Sequence, residues 1–262
     1  MDKLTVIKVG GKIVEKEDDL NHFLVDFSKI EGYKILVHGG GNLATKVAAQ
    51  LGIENRMIDG RRITDAEMLK VVTMVYGGWV NKMIVACLQS LGINAVGLTG
   101  ADMNVIRSVK RPVHEIDYGY AGDVEEVNAD RLAMLLQQDI VPVMSPLTHD
   151  QQGNLLNTNA DTIAAETAKA LARLFDVTLI YCFEKNGVLR DETDDESVIP
   201  EIDYDFFLKY KEQGVIQGGM IPKLDNAFRA IDTGLKRVVI TKASAILNNK
   251  GTIIQNRFSD LG

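Results

Sequence analysis

Residues 35–42 read ILVHGGGN, a short β-branched run that leaves through His38 into Gly39, Gly40 and Gly41. Glycine has no Cβ, contributes no packing and costs backbone entropy, so three in succession mark a place where main-chain amides come very close to something. A helical pattern opens at Asn42-Leu-Ala-Thr-Lys46, which sets those amides at a helix N-terminus, where an anion is favoured. A tight strand-to-helix turn with no ligand accounts for the stretch equally well. On both readings the unit is strand, glycine turn, helix.

That unit recurs outward in both directions. Short β-branched runs at 4–9, 34–37, 93–98, 139–144, 177–181 and 237–241 alternate with helical patterns near 17–31, 42–51, 64–90, 128–138, 160–174, 204–213 and 222–234. The runs are apolar throughout rather than alternating, as in strands covered on both faces. The expected fold is therefore α/β, a three-layer αβα sandwich around a mostly parallel open central sheet. Two stretches break the rhythm. Residues 104–127 predict strands joined by turns, a hairpin excursion over one sheet edge, and 150–156 predict a second hairpin turn. The acidic run 190–200 reads as a solvated connection. Without a repeat, a low-complexity segment or a long linker, two lobes sharing one sheet are expected.

The composition narrows the partners. The 262 residues are 46% apolar and 25% charged, with a net charge of −7 and no Lys/Arg-rich block, which argues against nucleic acid. Cys87 and Cys182 lie far apart in apolar stretches with no CxxC pair, a pattern that suits the reducing cytoplasm. MDKLTVIKVGG enters a strand at once, leaving no room for a signal peptide, and no run of 18 apolar residues occurs, so no membrane partner is expected.

Candidate chemistry gathers just past strands and at helix starts, the edge where open α/β sheets bind ligands. Lys8 lies inside an apolar strand and is followed directly by Gly10 and Gly11. Lysine is seldom buried without a partner, so Lys8 either reaches solvent from an edge strand or belongs to an anion site. In NTNADTIAAETA, Asn157, Asn159 and Asp161 precede an alanine-rich helix; capping explains one of the three, and Asp161 is placed to hold two ammonium groups. Gly218 and Gly219 precede a helix with Lys223 in its first turn, where the dipole disfavours a cation unless a strong anion such as an ATP phosphate lies nearby. Of Arg61 and Arg62, one is free to be solvated while the other grips a carboxylate in the cleft; Thr64 with Glu67 reads as a capping box. GxxxxGK[ST] is absent. GGGNLA satisfies a loose dinucleotide pattern, with Asp59 beyond it as the ribose-binding acid, so a Rossmann-type oxidoreductase stays open.

Taken together, IKVGG, VHGGG, DGRRITDAEMLKVVTMVYGGWVNK, GLTGAD, NTNADTIA and GGMIPK make the sequence resemble the amino acid kinase family over about residues 4–254. Within that family the resemblance is to members that phosphorylate the side-chain carboxylate of an N-acylglutamate in arginine biosynthesis. It implies an N-terminal lobe, residues 1–174, that binds the acylated amino acid and dimerises, and a C-terminal lobe, 175–262, that binds ATP. Lys8 and Lys223 would contact the transferring phosphoryl group and the other phosphates, with Asp161 organising both. Gly11, Gly40 and Gly41 would bring amides to the transferring phosphoryl group and the substrate carboxylate, with Gly10 also on the cofactor side. Arg62 and Asn157 would hold the α-carboxylate, and Gly218, Gly219 and Glu184 would lie on the nucleotide side. Mg²⁺ would arrive on the nucleotide, with no protein metal cage.

Several positions depart from the family pattern. Glu184 stands where relatives often carry Asp, and Trp79 stands where they commonly carry a polar residue, so Trp79 is read as packing at a lobe or subunit contact. ILNNKGTIIQ is shorter than the corresponding loop in many relatives. An N-terminal helix associated with arginine-inhibited hexamers is not seen before Leu4, hence the expectation of a homodimer without arginine feedback. The acyl group, acetyl or succinyl, stays open, as do another acceptor such as aspartate or carbamate and a non-catalytic amino-acid sensor.

Overall fold

The structure, a computed structural model, describes residues 1–58, 60–217, 220–232, 234–248 and 251–255. Eight strands form the central sheet, in spatial order Glu201–Ile202, Thr252–Ile254, Arg237–Lys242, Asp176–Phe183, Lys3–Val9, Tyr33–His38, Val141–Met144 and Ala95–Leu98. Neighbours are parallel except Arg237–Lys242 against Thr252–Ile254. The sheet is thus mixed but mostly parallel, as read from the unbroken apolar runs. Its two short strands near the C-terminal edge carried too little pattern to be seen in the sequence.

Strand alternation divides the core in two. Leu4, Val6, Ile35 and Val37 point to one face, where helices Ala129–Gln137, Ala160–Leu171, Tyr204–Glu212 and Met220–Asp232 lie. Ile7, Val9 and Leu36 point to the other, towards helices Glu17–Ser28, Gly41–Gln50 and the long helical stretch Ala66–Ser90. Each core draws on residues from both sides of position 174. The same alternation fixes which strand-end side chains look up and which look down.

The stretch Ala66–Ser90 differs from its sequence reading in three ways. By length and composition it is able to cross a membrane, although no unbroken apolar run revealed this. It is instead a helix of the folded core, with Met68, Val71, Val72, Val75, Val80, Ile84 and Leu88 buried. Its cap is Asp65, whose carboxylate accepts from the Met68 amide at 2.9 Å, not Thr64. Between Thr73 and Val80 it is wound as a π-helix, a form that concentrates near functional sites. The two hairpins also join, through strands Ile106–Lys110, Gly122–Val127, Leu147–His149 and Leu155–Asn157, into one four-stranded sheet of their own.

Candidate active site

Strands Lys3–Val9, Tyr33–His38 and Asp176–Phe183 run parallel, so Lys8, His38 and Phe183 reach the same carboxyl edge of the sheet. Lys8 shares the face of Leu4 and Val6, and there it meets helix Ala160–Leu171. Asn159 caps that helix, its side-chain oxygen accepting from the amides of Asp161 at 2.8 Å and Thr162 at 3.2 Å. The cap fixes the first turn so that Asp161 Oδ1 lies 2.8 Å from Lys8 Nζ. Lys8 is only 8% exposed, which rules out an edge lysine reaching freely into water.

Helix Met220–Asp232 delivers a second ammonium to the same spot. Lys223 Nζ stands 3.6 Å from the Phe183 ring centroid and Lys8 Nζ 5.2 Å from it. Burial, and then the charge of Lys8, push the Lys223 ammonium below the usual lysine range, against the pull of Asp161 and Glu184. Among the described residues Asp161 lies within ion-pair distance of Lys8, while Lys223 rests on the Phe183 ring and still feels the Asp161 charge. Two cations beside one anion leave an uncompensated positive charge at the mouth of the sheet.

Between the strand ends, two glycine turns face each other. Gly10 donates to the Cys182 carbonyl at 3.2 Å and Gly39 to that of Val9 at 3.3 Å, tying the turns to neighbouring strands. A Cβ on Gly11 would touch the amide nitrogens of Gly40 and Gly41 at 3.6 and 3.7 Å. At Gly40 the missing Cβ matters more, because it would sit 3.0 Å from Tyr76 Cδ1. Gly10 and Gly40 occupy the caps of the two helices without any side-chain cap, and the amides of Gly11, Gly40 and Gly41 have no acceptor among the described residues. Converging free amides of this kind form a nest suited to phosphate or carboxylate oxygens.

On the opposite face of the sheet lies a further cation. Arg62 is 8% exposed; it donates to the Gly41 carbonyl at 2.8 Å, to Thr45 Oγ1 at 3.0 Å and to Asn55 Oδ1. All three acceptors are neutral, and among the described residues no carboxylate pairs with it. Arg61 is exposed, so the pair divides into one solvated and one buried guanidinium. Asn157 Nδ2 donates to Thr64 Oγ1 at 2.9 Å, and that hydroxyl donates to the Arg62 carbonyl at 3.2 Å. Thr64 is thus a buried link between Arg62 and Asn157, a role its apparent place as a helix cap concealed.

Glu184 leaves the sheet just past Phe183 and pairs with Lys12 at 2.9 Å on the exposed side of the glycine turns. Beyond it, a cavity of about 190 Å³ is lined by Val188, Leu189, Val215, Ile216 and Met220, with Lys185 and Glu192 at its polar side. Gly218 and Gly219, and the acid Asp59 of the dinucleotide reading, lie outside the described residues. Among the described residues no group of three or more His, Cys, Asp or Glu is arranged to hold a metal. Tyr76, His38 and Asn81 complete the surroundings of the nest and were not picked out as site residues from the sequence. The signals available were a histidine closing an apolar strand just before three glycines and a polar Asn in an apolar helix three residues past Gly77-Gly78.

Parallel strands ending in two opposed glycine turns, flanked by buried lysines, agree with comparisons to known proteins. The profile of the amino acid kinase family matches residues 3–242, and the chain belongs to that family. It is 71% identical over 254 residues, 97% of this chain and 99% of the relative, to the acetylglutamate kinase of Phocaeicola vulgatus. A solved structure from Streptococcus mutans UA159 superposes with a TM-score of 0.78 at 27% identity, covering 96% of this chain and 98% of that one. Carbamate kinase from Giardia lamblia, at 16% identity and a TM-score of 0.69 over 97% of this chain and 98% of its own, shares the fold. Family membership sets the dinucleotide reading of GGGNLA aside.

Proposed function

We propose that this protein transfers the γ-phosphoryl group of ATP to the side-chain carboxylate of N-acetyl-L-glutamate, giving an acyl-phosphate for arginine biosynthesis. The observation that carries this reading is near-full-length identity of 71% to a protein named acetylglutamate kinase, combined with a buried two-lysine, free-amide site. A carboxylate oxygen attacks the γ-phosphorus as the bond to the β,γ-bridging oxygen breaks, and ADP leaves with that electron pair. No base is required, because a glutamate side chain with a reference pKa of about 4.3 is already ionised at pH 7. The obstacle is repulsion between two anions and their alignment, so catalysis rests on positioning and charge neutralisation.

On this reading Lys8 and Lys223 bind the transferring group and its neighbours, with Asp161 orienting Lys8. The amides of Gly11, Gly40 and Gly41 line the path between the reacting anions, and Gly10, whose own amide is held by the Cys182 carbonyl, shapes the turn on the phosphate side. Arg62, held by Gly41 and Thr45, and Asn157, held by Thr64, take the α-carboxylate. The apolar cavity past Glu184 takes the nucleotide, Mg²⁺ rides on its phosphates, and Gly218 and Gly219 are assigned to nucleotide binding from the sequence alone. Residues 1–174 then form the acylamino-acid lobe and 175–262 the ATP lobe. The protein works in the cytoplasm as a homodimer. Trp79 and Met74, each 53% exposed, present apolar surface on Ala66–Ser90, and subunit packing is the role assigned to Trp79.

The test is ATP consumption with Mg²⁺ and hydroxylamine trapping, offering N-acetylglutamate, N-succinylglutamate, glutamate and aspartate in parallel. Hydroxamate from N-acetylglutamate is the expected result. Hydroxamate from the succinyl compound alone would keep the reaction and change the acyl group. No hydroxamate from any of them, with ATP bound, would leave a sensor on the same fold.

A further inference from the structure

The nest of free amides is held from behind by a buried neutral pair that no catalytic role has yet absorbed. His38 is the last residue of strand Tyr33–His38 and shares the face of Leu36, opposite to that of Lys8. Its ring is fully buried, and so, to within 1%, is Asn81 at the end of the π-helical segment. His38 Nδ1 lies 2.8 Å from the Gly39 carbonyl oxygen, and Nε2 lies 3.1 Å from Asn81 Nδ2. Asn81 Nδ2 also donates to the Val143 carbonyl at 2.9 Å, while its Oδ1 accepts from Lys82 Nζ at 3.2 Å.

These partners fix the tautomer. A carbonyl only accepts, so Nδ1 carries the proton; an amide NH₂ only donates, so Nε2 is the acceptor. The ring therefore acts as a neutral relay between helix and turn. A trans peptide points its C=O and the following N–H in opposite directions. Drawing the Gly39 carbonyl towards the buried ring thus turns the Gly40 N–H the other way, towards Gly11 and the nest. Two further contacts serve the same end. Tyr76, one helical turn before Asn81, closes on Gly40, and Gly97 lacks the Cβ that would overlap the Asn81 amide.

We propose that His38 is a positioning residue for phosphoryl transfer: its Nδ1–H bond to Gly39 sets the aim of the Gly40 amide, and Asn81, placed by the π-helical segment, locks the ring. The role rests on the reaction proposed above. It never touches substrate, and its protonation state does not change during the reaction.

Two substitutions separate the two hydrogen bonds. In His38→Asn the side-chain amide nitrogen falls near the Nδ1 position and keeps the bond to Gly39. In His38→Gln the amide falls near Nε2, keeping Asn81 and losing Gly39. A lost oxyanion donor costs ~10²–10³ in rate, and a mis-aimed one is expected to cost ~10–10². His38→Gln should therefore lower kcat by that factor with KM for ATP within about twofold of wild type, and His38→Asn should restore most of the loss. Wild-type kcat in His38→Gln, or equal losses in both variants, would overturn the role. Should either variant fail to fold, long-range ¹H–¹⁵N spectra of the wild type decide: a neutral Nδ1–H ring is expected at pH 7, and an Nε2–H ring or an imidazolium would refute the arrangement. A wild type that forms no hydroxamate would fail the reaction itself, a result separate from any seen with the variants.

Discussion

Two lysines are buried in adjacent strands, and they lie at opposite ends of the sheet. Lys34, near the start of Tyr33–His38, is 7% exposed and donates to the carbonyls of Phe27 at 3.2 Å, Ser28 at 2.8 Å and Ile30 at 2.8 Å. It closes the C-terminus of helix Glu17–Ser28, where the dipole welcomes a cation and orphan carbonyls need donors. Lys8, at the carboxyl end, is 8% exposed and finds one carboxylate, a second lysine and a wall of free amides. Burial of a lysine is therefore no mark of function by itself. What separates the two is that Lys34 has all its donors answered by its own chain, whereas the site around Lys8 holds more positive charge than the described residues neutralise.

Substitution at each end breaks this contrast in a different observable. Lys8→Ala and Lys223→Ala should each cost ~3–4 kcal/mol of transition-state stabilisation, or ~10²–10³ in rate, while leaving the fold intact. Hydroxamate assays read the loss, and wild-type turnover in either variant would remove that lysine from the mechanism. The next largest effect concerns His38, whose pKa burial pushes down from 6.5 to about 4. Between those values the unfolded chain binds the extra proton, so stability is full above pH 6.5 and falls as the pH drops towards 4. The loss assigned to His38 is about 3 kcal/mol. Denaturant midpoints of wild type and His38→Asn at pH 7 and pH 4.5 should therefore diverge in slope, and parallel curves would contradict a buried neutral imidazole. Smallest is Lys34→Met, expected to cost about 2 kcal/mol of stability by orphaning helix carbonyls. Its kcat should stay at the wild-type value, and a large drop in turnover at unchanged stability would erase the contrast with Lys8.

The legible parts of this molecule were those with a local physical signature. Unbroken apolar runs gave the strands of the parallel sheet, and Gly10-Gly11 and Gly39-Gly40-Gly41 gave the two turns at its edge. The strands Glu201–Ile202 and Thr252–Ile254 were missed because they are two and three residues long and are defined by their neighbours. Thr64 reads as a cap in the sequence because Ser, Thr and Asp compete for that position, and only the backbone geometry decides which one turns into the helix. His38 and Asn81, 43 positions apart, form a pair that no spacing announces.

By itself the sequence determined which residues carry charge, which turns lack a Cβ and which strands lie covered on both faces, because period, size and backbone freedom are properties of neighbouring residues. The tertiary structure alone decided which lysine faces an anion site and which caps a helix. It also decided which oxygen each buried donor meets and which way each peptide of the nest points. Those outcomes depend on register between strands and on helices packed from distant parts of the chain, and a one-residue shift in either would turn Lys8 away from Asp161 and His38 away from Asn81.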